Sequence, residues 1–202
     1  GIDVLTLISG ESKDLYDITT IASVMLDSAN QRLVCVFTTN EGDLPTTTDA
    51  YQQKRHPENR ECVYLAVYDL AGESIVYGSY LSGNSIDVLY SSCLDSCRGE
   101  VLLAGVTHSS AFPVTDNAFQ PWLRGESDLW YARFNMQTFE FTYISYLGGN
   151  NDEGHGYALH DSDGRLLIAG VSLSTDLPID PQSYSHDPDP NGSAVVFVLR
   201  ND

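Results

Sequence analysis

Tyr143-Ile144-Ser145-Tyr146-Leu147-Gly148-Gly149 is the stretch that decides the fold, because related stretches stand earlier in the chain. The second repeat carries Tyr77-Gly78-Ser79-Tyr80-Leu81-Ser82-Gly83, and a worn first repeat has Ser9-Gly10 at the same place. Each repeat then continues through an apolar hairpin to a Leu-Pro or Phe-Pro step. The prolines of these steps recur after 68 and 65 residues: Pro45, Pro113 and Pro178. A fixed period of this size predicts stacked supersecondary units.

Each repeat divides into four short β segments. In the third repeat, residues 139–146 alternate aromatic and polar side chains, as a half-buried strand does. Asp161-Ser162-Asp163-Gly164 is typical of a hairpin turn, and residues 166–172 would return antiparallel. Residues 194–200, rich in Val and Phe, form the last segment. Apolar residues recur with a period of two, which does not favour helices. The three repeats span residues 1–72, 73–138 and 139–202.

Four antiparallel strands at a fixed interval are typical of a β-propeller blade. The third repeat resembles the SBBP-type bacterial β-propeller repeat family at Tyr146-Leu147-Gly148-Gly149, Asp161-Ser162-Asp163-Gly164, Ala169-Gly170-Val171-Ser172 and Leu177-Pro178. The resemblance covers nearly the whole chain and implies a secreted or cell-surface protein without an assigned reaction. We therefore expect an all-β chain of three four-stranded antiparallel propeller-type blades, an incomplete propeller that association completes. A fragment of a larger propeller protein is the alternative.

The Asp-Gly hairpin predicts which strand is outermost. It normally joins the two inner strands of a blade, so the Tyr-rich strand becomes the outermost strand of the preceding blade. The chain then starts with an orphan outer strand and ends with a three-stranded blade whose edge invites another chain. We expect the first segment of one subunit to complete the last blade of a neighbour, in a ring or a filament. The donated strand is Val4, Leu5, Thr6, Leu7, Ile8 and Ser9, and the receiving strand contains Val195, Val196, Phe197, Val198 and Leu199.

The charge of the chain limits its partners. A formal net charge of −18 and a pI near 4.3 argue against nucleic acid and anionic membranes, which select for clustered cations. No apolar run approaches the length of a membrane-spanning helix, so we expect no membrane insertion. The one basic island contains Lys54, Arg55 and Arg60 in a long loop. It is either a solvated loop or the complement of another subunit's carboxylates.

Four cysteines are compatible with two disulfides. Cys93 and Cys97 flank a predicted hairpin turn and are expected to be bonded. Cys35 replaces the small residues Ala104 and Ala169 of the other repeats, and pairing with Cys62 is the second possibility. Disulfides would indicate an oxidising compartment, whereas the C-x3-C spacing lacks the second ligand pair of a zinc site.

The loop before the last strand has the residue pattern of a calcium loop. Asp187, Asp189 and Asn191 are oxygen ligands in a D-x-D-x-N-G arrangement. The closing Glu is missing, since Val198 occupies its place, and prolines fill both spacer positions. A Pro-stiffened acidic loop without calcium is therefore favoured, and no other cofactor is expected. Asn191 also begins a glycosylation sequon.

No catalytic motif accompanies this architecture. The run 151–155 gathers two carboxylates and a histidine, but related acids stand at the same place in the other repeats, which favours capping of backbone N–H groups. Strand aromatics are expected to pack between blades, and Trp122, in a loop, is the better candidate for a ligand contact. We interpret the protein as a non-enzymatic, self-assembling structural protein. The alternative is a surface module that binds glycan or calcium with its rim loops.

Overall fold

The structure of the chain is a computed structural model that describes residues 19–160, 166–178, 189 and 191–199. The described residues form eleven antiparallel strands. No helix occurs in these described ranges. The strands are β1 (Thr19–Asp27), β2 (Arg32–Thr39), β3 (Cys62–Asp69), β4 (Ser74–Leu81), β5 (Asp87–Asp95), β6 (Glu100–Thr107), β7 (Asp128–Asn135), β8 (Glu140–Leu147), β9 (Glu153–His160), β10 (Leu166–Ser172) and β11 (Ser193–Leu199).

The strands form three sheets, each a meander of neighbours in sequence. Sheet 1 has the order β1-β2-β3-β4, sheet 2 has β5-β6-β7-β8, and sheet 3 has β9-β10-β11. The Tyr-rich strands β4 and β8 are the last strands of their sheets, so the predicted strand order is confirmed. The sheets are therefore one strand out of phase with the sequence repeats, whose boundaries at 72/73 and 138/139 fall between the third and fourth strands.

The outer edge of β11 has no paired strand among the described residues. The predicted receiving segment does form this edge strand, from Ser193 to Leu199. The predicted donor strand, residues 4–9, lies outside the described residues, as do the Asp161–Gly164 turn and Asp187. An all-β fold of three antiparallel sheets is thus confirmed, with three strands described in the last one.

The sheets pack face to face, with the first strands β1, β5 and β9 next to one another. Sheet 1 buries Val34, Val36 and Leu65 against sheet 2, which contributes Leu103, Trp130 and other residues to a shared core. A second core joins sheets 2 and 3, and its principal members are Leu102, Ala104, Leu129, Tyr131, Ala158 and Ile168. This alternation of faces follows from the two-residue period of a strand.

The predicted disulfides are not formed, and the cysteines remain thiols. In the β2–β3 ladder Cys35 stands opposite Ala66, whereas Cys62 stands opposite Thr39. The two cysteines are four positions apart along the ladder, about 13 Å at the rise of a strand, which is too far for a disulfide.

The predicted disulfide between Cys93 and Cys97 is also wrong, again because of the strand register. Cys93 lies on β5 opposite Leu102, and Cys97 lies in the turn beyond it. The Asp95 carboxylate accepts a hydrogen bond from the Cys97 N–H at 3.0 Å and shapes this turn. The residue across the hairpin from Cys93 is therefore Leu102 and not the second cysteine.

Candidate functional site

The pairing register of the strands identifies equivalent residues in the three sheets. The pairing of the second and third strands begins with Thr39 opposite Cys62 in sheet 1 and with Thr107 opposite Asp128 in sheet 2. In sheet 3 it begins with Ser172 opposite Ser193. Counting back from these pairs assigns each residue of one sheet an equivalent in the next.

Sheet 3 exposes the face that the other sheets bury. Ala104 in sheet 2 is fully buried, but its equivalent Ala169 in sheet 3 is exposed. Tyr131 is 4% exposed, whereas its equivalent Val196 is 66% exposed. We call this surface the open face; it consists of Tyr157, Leu159, Leu167, Ala169, Val171, Ala194, Val196 and Val198. In soluble proteins, large contiguous apolar surfaces occur mainly at interaction sites and ligand-binding grooves.

The outer side of sheet 1 carries a second apolar surface that is partly exposed. Sheet 2 meets sheet 1 through Val101 and Leu103, which are fully buried. Their equivalents in sheet 1 are Leu33 and Cys35, which are only half-buried on the outer side of that sheet. We call this surface the matching face; its four residues are Val24, Leu26, Leu33 and Cys35. Val24 and Leu26 are both more than half exposed.

Tyrosines of the outer strands hold the proline loops. The Tyr80 hydroxyl accepts a hydrogen bond from the Leu44 N–H at 2.8 Å, and Tyr146 accepts one from the Phe112 N–H at 2.9 Å. Tyr77 and Tyr143 do the same for the N–H groups of residues 51 and 119. These tyrosines therefore fasten each loop to its sheet, a role beyond the inter-blade packing that the sequence predicted.

Buried carboxylates cap the loops that lead into the inner strands. Asp87, at the start of β5, accepts hydrogen bonds from the Gly83 N–H at 2.7 Å and from the Thr107 hydroxyl at 2.5 Å. Glu153, at the start of β9, accepts from the Gly149 N–H at 3.0 Å and from the Ser172 hydroxyl at 2.6 Å. The acidic run 151–155 thus contributes a structural carboxylate in its Glu153.

Asp128 lies beside Glu153, and both carboxyl groups are buried. A side chain at position 148 would collide with oxygens of both, so Gly148 allows the two acids to approach. Burial, and then repulsion from Glu153, raises the pKa of Asp128 to about 6. Gln120 donates its amide to Asp128 at 2.6 Å. Paired carboxyl groups also occur in catalytic dyads, but both members of this pair are buried and cap loops of their own sheets.

A surface cavity of about 380 Å³ is lined in part by Gln120 and Gly148, the two residues that lie next to this pair. Trp122 is 63% exposed and Phe119 is 58% exposed at its wall. At the rim, the Arg124 guanidinium forms an ion pair with Asp176 at 2.6 Å. We call this feature the Trp122 cavity; its lining is Phe119, Gln120, Pro121, Trp122, Arg124, Gly148 and Pro178.

The calcium pattern gains no support from its described members. The Asp189 carboxylate accepts hydrogen bonds from the N–H of Asn191 at 2.8 Å and from its side-chain amide at 2.9 Å. That oxygen shapes its own turn, and Asn191 is exposed. Within the described ranges no three His, Cys, Asp or Glu residues gather as a metal site.

The basic loop is only partly available for contacts. Arg55 is half-buried and donates to the Asn59 carbonyl oxygen at 2.8 Å, so it stabilises its own loop. Lys54 and Arg60 are exposed on the same loop. Two of the three predicted interface cations therefore face solvent.

No protein-family model matches the chain, and no curated protein sequence matches it significantly. Among the described residues, no helix is long and apolar enough to cross a membrane.

The sequence analysis does not predict that the carboxyl groups of Asp128 and Glu153 lie side by side. The sequence does contain one signal for this pair. Asp128 is an acid at the position where the other two sheets have Cys62 and Ser193.

Proposed function

We propose that the protein is a non-enzymatic structural building block that associates head to tail, in the manner of successive propeller blades. One observation carries this proposal: positions that are buried between sheets 1 and 2, and between sheets 2 and 3, are exposed on the open face. The matching face of a second subunit has the register equivalents of the surface that packs there within the chain. The contact is heterologous, so it yields a ring or a filament.

Strand addition would accompany the packing of faces. Within the chain, the outer strand of one sheet directly precedes the first strand of the next. Residues 4–9 precede β1 in the same way, so in the assembly they would run along the free edge of β11. Backbone pairing at an edge of this kind supplies affinity, and side chains set the register. The extracellular location rests on the resemblance to secreted propeller repeats, since the cysteines are thiols.

Blocking each face separately tests the proposal. Val196→Asp on the open face and Val24→Asp on the matching face should each give monomers, because a carboxylate would be buried without a partner. Thr48→Asp, an exposed substitution in a loop, is the control and should leave the assembly unchanged. Light scattering and analytical ultracentrifugation report the particle mass.

Mixing the two blocked variants makes the test specific. Each variant keeps one intact face, so a mixture should form heterodimers and nothing larger. Monomeric wild-type protein at high concentration would overturn the proposal, and so would a mixture that contained only monomers. Assembly of either single variant would show that the faces named here are not the contact.

Carbohydrate binding at the Trp122 cavity is a second candidate function. The equivalent loop of sheet 1 has Gln53 and Lys54 where sheet 2 has Pro121 and Trp122. Each loop nevertheless binds its outer strand through a glutamine side chain. In sheet 1, the Gln52 side-chain oxygen accepts a hydrogen bond from the Ser82 N–H at 2.7 Å, and Gln120 does the same in sheet 2. Trp122 is thus not required for the fold. An exposed ring beside an ion pair suits the apolar face and the hydroxyls of a sugar.

Titration with a panel of neutral oligosaccharides tests this second function. Tryptophan fluorescence should respond to a binding sugar, and Trp122→Ala should abolish binding measured by calorimetry. Thr48→Ala is the control that should keep it. If calorimetry detected no binding across the panel, or if Trp122→Ala bound equally well, the second candidate would be wrong.

A further inference from the structure

The outer strand of sheet 2 carries three aromatic groups with separate roles. Tyr143 and Tyr146 accept hydrogen bonds from N–H groups of the proline loop in their own sheet. Phe141 instead contacts Tyr51, in the proline loop of sheet 1, with ring centroids 5.2 Å apart and an edge-on geometry. The spacing of the three is aromatic-x-Tyr-x-x-Tyr.

Phe119 is the equivalent of Tyr51 in the next loop. Both follow an alanine and precede a glutamine, and both donate their N–H to the first tyrosine of the outer strand. Tyr51 therefore shows where Phe119 would find an aromatic partner: on the outer strand of sheet 3. Phe119 is 58% exposed at that position.

Sheet 3 also presents the rest of the receiving surface. Leu177, before Pro178, occupies the place of Phe112 before Pro113, and it is buried. By the register of β7 with β8, Trp130 stands opposite Tyr146 and Arg133 opposite Tyr143. The equivalents on β11 are Val195 and Val198.

We infer that the outer edge of β11, which pairs with no other described strand, is complementary to an antiparallel strand with the spacing aromatic-x-Tyr-x-x-Tyr. The second tyrosine of this strand lies opposite Val195 and receives the Leu177 N–H. The first tyrosine lies opposite Val198, and the aromatic residue two positions before it packs on Phe119. The inference rests on the proposed function in one respect, namely that this edge is a site of strand addition.

The chain's own candidate strand meets this requirement only in part. Aligning Ser9-Gly10 with Gly148-Gly149 puts Val4 and Leu7 at the two tyrosine positions. Neither side chain can accept the hydrogen bonds that fasten a proline loop. A strand with both tyrosines should therefore bind this edge more tightly than residues 4–9 of a neighbour, and it should terminate the assembly.

A synthetic peptide with the sequence of residues 139–149 is the probe. It should bind to the monomeric Val24→Asp variant, whose β11 edge is intact, and raise its melting temperature. A peptide with both tyrosines changed to Phe should bind about tenfold more weakly, because the Leu177 N–H loses its acceptor. A peptide of scrambled sequence is the control for non-specific binding.

Two substitutions in the protein locate the bound peptide. Phe119→Ala should weaken binding, because the ring that receives the aromatic residue is removed. Trp122→Ala, which removes a neighbouring and equally exposed ring, should leave binding unchanged. The inference is overturned if the native-sequence peptide does not bind, if its Tyr-to-Phe version binds equally, or if Phe119→Ala has no effect.

Assembly of the wild-type protein separates this inference from the proposed function. Addition of the peptide should reduce particle mass in light scattering. If the peptide binds but the wild-type protein is monomeric without it, the edge inference stands and the self-assembly proposal fails. If the wild-type protein assembles but the peptide does not bind, the proposal stands and the inference fails.

Discussion

Asp128 at the start of β7 and Glu153 at the start of β9 belong to different sheets, yet their buried carboxyl groups meet beside Gly148. Burial and the neighbouring acid hold the pKa of Asp128 near 6, above its ordinary value of 3.8. A raised carboxyl pKa means that the folded state binds the proton more tightly than the unfolded chain. This contribution to stability is present below about pH 4 and is lost as the pH rises through about 6.

Asp128→Asn should therefore stabilise the protein at neutral pH. An amide keeps one acceptor oxygen for Gln120 and turns an N–H group towards Glu153. The gain over wild type in the free energy of unfolding should grow between pH 4 and pH 7, by about 2 kcal/mol. Urea unfolding across this range measures it. A gain that is independent of pH, or a loss at pH 7, would contradict the prediction; in a Glu153→Gln background the pH dependence should shrink.

Gly105 in β6 should not tolerate a side chain. A Cβ there would meet the Val88 carbonyl oxygen and the Trp130 indole nitrogen. Gly105→Ala should therefore lower the free energy of unfolding by about 3 kcal/mol or more. Gly154→Ala is the matched control, because its Cβ would have open space, and it should change stability by less than about 0.5 kcal/mol. Equal effects of the two substitutions would refute the packing between β5 and β6.

The hydroxyl of Tyr146 should contribute measurably to stability. It accepts from the Phe112 N–H and donates to the Ser109 carbonyl oxygen at 2.7 Å, and the residue is fully buried. Tyr146→Phe leaves both partners unsatisfied and should cost about 1–3 kcal/mol in urea unfolding. Tyr157→Phe, on the open face, loses only an exposed hydroxyl and should be nearly neutral in the monomer.

The cysteines should react with alkylating reagents in an order set by burial. Cys97 is exposed and should be modified first. Cys62 is fully buried, its thiol donates to the Thr39 carbonyl oxygen at 3.5 Å, and burial raises its pKa to about 12. It should react only after unfolding. Peptide mapping after timed labelling measures the order, and a Cys93–Cys97 linkage under non-reducing conditions would contradict the structure.

The strand order could be predicted from the sequence because it depends on local chemistry. The two-residue period around Tyr143 and Tyr146 indicates a strand, and the repeated hairpins set its place in the sheet. The prediction of a disulfide between Cys35 and Cys62 is wrong. It depended on the register between β2 and β3, which no local sequence pattern specifies. The ladder, in which Cys62 faces Thr39, decides it.

The carboxyl pair could not be predicted for a different reason. Asp128 follows the proline loop of sheet 2, whereas Glu153 follows the turn after β8. They meet only because neighbouring sheets pack with a particular offset, and no equivalent pair exists in sheet 1, where Cys62 takes the place of Asp128. Similarly, the exposure of the open face depends on how many sheets follow, and not on the composition of the strands themselves.

The open face also bears on how a chain of this kind changes in length. A unit of about 65 residues inserted after sheet 3 would cover Val196 and its neighbours and present a fresh surface of the same register. Gene duplication could thus lengthen the protein, or deletion shorten it, without redesign of any interior contact. Whatever the number of units, one monomer would expose an open face on its last sheet and a matching face on its first. The number of units can therefore change during evolution without loss of the contacts between the existing sheets.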